Sequence, residues 1–268
     1  MMAAMSRSAI MMALLSLAAV TVQSSAADVP LRAQLERVAQ RRIYFGHQSV
    51  GANLLEGVKQ LAESAGVPLR IVEAPSAAAL APATFGHTFV AENGDPLRKL
   101  EGFRKAMGPG ATTVDIALLK FCYVDITADT DAKLLFERYR ATIESLQANN
   151  PHTTFVHVTL PLTDVQGGPK ALVKRMLGRA PYGTVENLRR EEYNALMRRT
   201  YRGREPLFDL ALLESTAPDG AAVKVQWNGV LAPAMSPAYT DDGGHLNAAG
   251  KLRAARELVS VLAAIPLR

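Results

Sequence analysis

An α/β fold is what this sequence predicts: a three-layer α/β/α sandwich around a central, mainly parallel five-stranded sheet. Two observations carry that expectation. Short runs rich in β-branched and aromatic residues alternate with amphipathic stretches of helical period from one end of the chain to the other. The run from Val114 to Tyr123 is almost continuously apolar, as a parallel strand buried on both faces must be. A sheet of this kind carries its ligand site at the carboxyl ends of its strands.

The elements follow in order. Leu31, Leu35 and Val38 are spaced for a short helix. Ile43, Tyr44 and Phe45 make a first strand, and Gly46, His47 and Gln48 have turn chemistry. Val50, Leu54, Val58 and Leu61 then share one helical face, and Gly66 and Pro68 end it. Residues 69–74 read as a second strand, and 75–93, rich in Ala, Pro and Gly, as a long crossover loop. The turn Asn93-Gly-Asp-Pro96 starts a helix running to about Met107. Residues 114–123 form the third strand, and a helix with Leu135, Tyr139, Ile143 and Leu146 on one face follows. Residues 153–160 are a fourth strand. Residues 162–182 form a Gly-, Pro- and Lys-rich insertion, and Val185, Leu188, Leu196 and Met197 mark a long helix ending near Gly203. Residues 207–212 are the fifth strand, and 216–244 are irregular with a small hairpin at Trp227-Asn-Gly229. The last helix runs from about Asn247 to Ala264.

Met1 to Ala27 has the layout of an export signal: Arg7, an apolar run from Ala9 to Val20, and the small residues Ser24 to Ala27. The apolar run falls short of the about 20 residues that span a bilayer. Cleavage after Ala26 or Ala27 would leave one domain, 28–268, exported to the periplasm or medium, with no membrane span in the mature form. The formal net charge of +5 is spread over many segments without a basic run interleaved with aromatics, which argues against nucleic acid as a partner. Cys122 is the only cysteine, so no intramolecular disulfide can form.

Two stretches can carry chemistry. Ser49 stands where the first strand turns into a helix, at the positive end of the helix dipole and among unpaired N–H groups. A hydroxyl there can attack a carbonyl while the N–H groups hold the oxyanion; equally, Ser49 can be a plain N-cap. Asp242 and His245, in Asp242-Gly-Gly-His245, precede the last helix. At that spacing a carboxylate can hold one imidazole nitrogen and leave the other to accept a serine proton. The remaining histidines, His47, His87, His152 and His157, show no metal-binding spacing, so neither a metal nor a cofactor is expected. The basic insertion at Lys170, Lys174, Arg175 and Arg179 reads as a solvated face unless the substrate is acidic.

In the order of its elements, in Ser49 after the first strand, and most of all in Asp242-Gly-Gly-His245 followed by Leu246-Asn-Ala-Ala-Gly250, the chain resembles the SGNH, or GDSL-type, esterase and lipase superfamily. The resemblance implies a Ser49 nucleophile, a His245 base, an Asp242 orienting acid and a small-molecule or carbohydrate ester as substrate. It implies a hydrolase such as an esterase or deacetylase, or an O-acyltransferase with the same triad, or a binding protein that kept the scaffold. The first block of the superfamily, Gly-Asp-Ser, is here Gly46-His-Gln-Ser49. Its third block, Gly-x-Asn-Asp, is matched only by Asp125 in Lys120-Phe-Cys-Tyr-Val-Asp125, which lacks the oxyanion-binding Asn. Gly94 corresponds to the second-block glycine or is a plain turn glycine. Tyr123, Lys120, His47 and Asn53 are the candidates to replace the missing donor.

Overall fold

The computed structural model describes residues 29–110 and 113–266; the predicted export signal lies outside them. The axis of the fold is strand β1 (Arg42–His47), which pairs in parallel with β3 (Thr84–Phe89) on one side and β4 (Ile116–Leu119) on the other. β2 (Ile71–Glu73) extends the sheet beyond β3, while β5 (Thr154–Val158) and β6 (Leu207–Phe208) extend it beyond β4. The order is β2-β3-β1-β4-β5-β6, and every pairing is parallel.

Alternation along each strand divides the interior into two cores. Ile43, Phe45, Ile116, Leu118, Val156 and Val158 face helices α1 (Leu31–Ala39), α2 (Ser49–Ser64) and α8 (Ala248–Ala264). Tyr44, Ala117, Leu119 and Phe155 face α3 (Pro96–Met107), α4 (Ala132–Asn149) and α6 (Thr184–Tyr201). Those are the three layers expected. Fully burying one such large apolar side chain stabilises the fold by roughly 1.5–3 kcal/mol. The helices start where the sequence supplies caps: Asp95, Asp131 and Asn247 accept from Arg98, Leu134 and Gly250 N–H groups.

Two local expectations need correction. The sheet has six strands rather than five, because β3 lies inside the segment 75–93 that reads as loop. Its Gly86 disguises it, yet a Cβ there would collide with Leu80, so glycine is what lets the 77–80 segment close over the strand. The expected strand 207–212 stops after Phe208, since the Asp209 side chain accepts from Leu212 N–H and starts helix α7 (Leu210–Glu214). The insertion 162–182 contains a helix, α5 (Gly168–Met176). The hairpin is present: β7 (Lys224–Trp227) and β8 (Val230–Pro233) pair antiparallel across Asn228 and Gly229, both at positive φ as a two-residue turn requires. Among the described residues no helix is long and apolar enough to cross a membrane.

Candidate active site

The carboxyl ends of β1, β4 and β5 meet one side of the molecule, and Ser49, Tyr123 and the loop 240–247 come together there. Ser49 is the first residue of α2, and Gln48 occupies the N-cap position without a side-chain capping bond. The Ser49 hydroxyl is therefore not an N-cap. It is half-buried and contacts Cys122 Sγ at 3.7 Å. The N–H groups of Ser49 and Val50 have no hydrogen-bond acceptor among the described residues, leaving two donors beside the hydroxyl. Gln48 fixes this turn by donating from Nε2 to the carbonyls of Val90 and Ala91 at 2.7 and 2.6 Å.

Asp242 and His245 form the expected pair. His245 Nδ1 lies 2.6 Å from Asp242 Oδ2. An ionised carboxylate can only accept, so Nδ1 carries the proton and Nε2 is left as the free acceptor. The backbone N–H groups of Gly244 and His245 donate to Asp242 Oδ1 at 2.9 and 2.8 Å. Partial burial pushes the Asp242 carboxyl up, but these N–H groups and the imidazole outweigh it and hold it well below the usual carboxylate range. Both side chains remain open to solvent, His245 at 40% and Asp242 at 57% exposure.

Two contacts seat this loop against α2 and β4. Asn53, one turn after Ser49, accepts the Leu246 N–H at 3.2 Å. The Tyr123 ring meets the His245 ring edge-on at 5.6 Å, and its hydroxyl end packs on Gly244 so closely that a Cβ there would sit 2.7 Å from the oxygen. Burial raises the Tyr123 phenol, keeping it a donor, and its hydroxyl has no hydrogen-bond partner among the described residues. Below it, the buried Arg190 guanidinium donates to the Tyr123 carbonyl at 2.9 and 3.2 Å and to Thr163 and Asn187. Burial lowers Arg190 to about 10.

The structure thus gathers Ser49, Asp242, His245, Tyr123 and Asn53, with Asn53 as a tether. Ser49 Oγ and His245 Nε2 are not hydrogen-bonded to each other. Three other candidates are engaged elsewhere. Gly94 N–H donates to Asp125 Oδ1 at 2.8 Å. Lys120 is fully buried, with Nζ donating to the Phe121 carbonyl at 2.8 Å. His47 is buried too: its Nδ1 lies 2.9 Å from the Gln48 carbonyl and its Nε2 3.0 Å from His87 Nδ1. The carbonyl fixes the proton on Nδ1, and burial pushes His47 down to about 3. Asp125 belongs to a clamp: it takes N–H groups from Gly94 and Cys122 and pairs with the buried Lys99 at 2.7 Å. Arg190 and the Cys122 contact have no signal in the sequence; Arg190 is one arginine among several on an amphipathic helix.

The fold is a three-layer α/β/α sandwich whose candidate site lies at the carboxyl ends of its parallel strands. No family profile and no curated protein matches it in sequence. In structure it is similar to a Streptococcus pneumonia protein provisionally described as a platelet activating factor, at 16% identity and a TM-score of 0.50, over 87% of this chain and 91% of that one. It is also similar to a GDSL-like lipase from Bacteroides thetaiotaomicron, at 14% identity and a TM-score of 0.47, over 83% and 88% of the two chains. A third is the periplasmic domain of a Salmonella ser. Paratyphi A lipopolysaccharide acetyltransferase, at 11% identity and a TM-score of 0.41, over 82% of each.

Proposed function

We propose that this chain is an exported serine-dependent ester hydrolase acting on a small-molecule or carbohydrate ester. The observation that carries the reading is the His245–Asp242 pair held by Asn53 and Tyr123 beside the start of α2, where Ser49 stands. In the reaction, His245 Nε2 takes the proton of Ser49 as Oγ bonds to the acyl carbon. The oxyanion is received by the free N–H groups at the start of α2. The Tyr123 hydroxyl, the free donor beside His245, stands in for the absent Asn. His245 then passes its proton to the leaving alcohol, which leaves an ester on Ser49. Water, deprotonated by His245, attacks that ester and releases the acid and the serine hydroxyl. Asp242 stays ionised throughout and stabilises the imidazolium. No cofactor takes part.

O-acyl transfer through the same acyl-enzyme is the second reading. The solvent exposure of His245 and Asp242 favours water over a second alcohol as acceptor. Turnover of p-nitrophenyl acetate by the chain from Asp28 onward, with glycerol or glucose added, separates them. Hydrolysis whose product ratio is little changed by the alcohol supports the first reading, and dominant ester formation supports the second. No turnover by a folded chain on a panel of short acyl esters would oppose both.

A further inference from the structure

Helix α5 is amphipathic the wrong way round. Ala171 is its buried residue, while Leu172, Val173, Met176 and the following Leu177 are exposed at 61, 54, 78 and 68%. At 3.6 residues per turn these four fall within an arc of roughly 140°, and Ala171 lies on the opposite side. The helix therefore packs on the domain through one small residue and turns its apolar stripe to solvent. Tyr182, at the far end of the same excursion, is 60% exposed.

The flanks of the stripe are basic. Lys170, Arg175 and Arg179 are exposed and form no ion pair among the described residues, and no Asp or Glu occurs between Asp164 and Glu186. Lys174 donates to Gln166 Oε1 at 2.7 Å, which braces the helix against its own entry segment. The excursion is also tied to the candidate site: Asp164 N–H donates to the Gly243 carbonyl at 2.9 Å, and Gln166 N–H to the Tyr182 carbonyl at 3.0 Å. A contiguous exposed apolar stripe rimmed by polar residues is the pattern of an interaction surface, and its cationic border favours an anionic partner.

We propose that α5 docks on an anionic lipid surface. Leu172, Val173, Met176 and Leu177 enter the acyl boundary, and Lys170, Arg175 and Arg179 meet the headgroup phosphates. A second copy fits less well, since pairing two α5 faces would bring like charges together. Docking would set the loop 242–245 near the membrane plane. That consequence rests on the proposed site, but the docking itself does not.

The test is co-sedimentation of the chain from Asp28 onward, which contains every element described, with two kinds of vesicle: phosphatidylcholine alone, and phosphatidylcholine with phosphatidylglycerol. Binding to the anionic vesicles is expected, and to the neutral ones at least tenfold weaker. The pairs Leu172→Gln/Met176→Gln and Lys170→Glu/Arg175→Glu should each weaken binding roughly tenfold or more with unchanged melting temperature. Ser49→Ala should bind like the parent, which separates docking from catalysis. A parent that stays in the supernatant, binds both vesicles equally, or is unaffected by both pairs would overturn the proposal. So would a stable dimer that Leu172→Gln/Met176→Gln dissolves.

Discussion

The chemistry proposed for Ser49 depends on its neighbours more than on its own side chain. The tight turn before it needs Gly51, because a Cβ there would collide with the buried His47 ring. The same turn leaves the Ser49 and Val50 N–H groups without acceptors among the described residues, and such groups can stabilise an anion that forms only in the transition state. In the proposed reaction Tyr123 extends this set through a hydroxyl that has no hydrogen-bond partner among the described residues. Removing one oxyanion donor typically costs about 10²–10³ in kcat, so Tyr123→Phe should lower kcat by about that factor with little change in KM. Steady-state kinetics on a p-nitrophenyl ester measure both; an unchanged kcat would remove Tyr123 from the proposed role. The Asp242–His245 contact was legible because a spacing of three residues encodes a local contact. Tyr123 was legible only as one of four candidate donors, since what separates it from Lys120, His47 and Asn53 is its contact with His245 and Gly244, which no spacing records.

At the scale of elements, the start of α3 and the 3₁₀ turn Tyr123–Asp125 that follows β4 are joined by a buried ion pair. Lys99 Nζ sits 2.7 Å from Asp125 Oδ2, both side chains wholly buried, and Asp125 also takes the Gly94 and Cys122 N–H groups. Breaking such a pair leaves an uncompensated charge and costs roughly 3–5 kcal/mol. Lys99→Met and Asp125→Asn should each lose stability on that order. The double variant should lose at least about 1 kcal/mol less than the sum. Urea denaturation of the four proteins measures the coupling, and strict additivity would contradict the clamp. Most elements were legible from period and turn chemistry: helices start after Asp95 and Asn247 where the pattern predicts. Strand β3 was not, because Gly86 and the surrounding Ala and Pro mimic a loop. The reason for that glycine is contact with Leu80, a tertiary fact.

For the molecule as a whole, the sheet buries charge beneath the site, and this sets a pH dependence. Burial raises Glu214 from 4.5 to about 8, although the Leu162 N–H, Lys120 and Arg190 pull it back. Between those values the folded chain keeps a proton that the unfolded chain has lost, so stability falls as pH rises. His47, lowered by burial from 6.5 to about 3, acts with the opposite sign: its contribution is fully present above 6.5 and is lost as pH falls toward 3. The Glu214 effect is therefore best read above about pH 6.5. Glu214→Gln keeps an oxygen for the Leu162 N–H and removes the titration. Its melting temperature should fall less than the parent's between about pH 6.5 and 8. Equal slopes in the two proteins would refute the assignment. Fold class was readable from alternation alone, because two-sided burial of a parallel sheet imprints itself on every strand. Buried ionic groups leave no such imprint: Lys120 and Glu214 are ordinary residues until the sheet closes over them.

The central claim is that Ser49 is a nucleophile activated by His245. Intact-protein mass spectrometry after exposure to a fluorophosphonate tests it most directly, with Ser49→Ala and His245→Ala as companions. A single adduct is expected on the parent chain, mapped to the peptide bearing Ser49. It should be absent from Ser49→Ala and slowed by orders of magnitude in His245→Ala. A folded parent that stays unmodified, or one labelled equally fast without His245, would contradict the account.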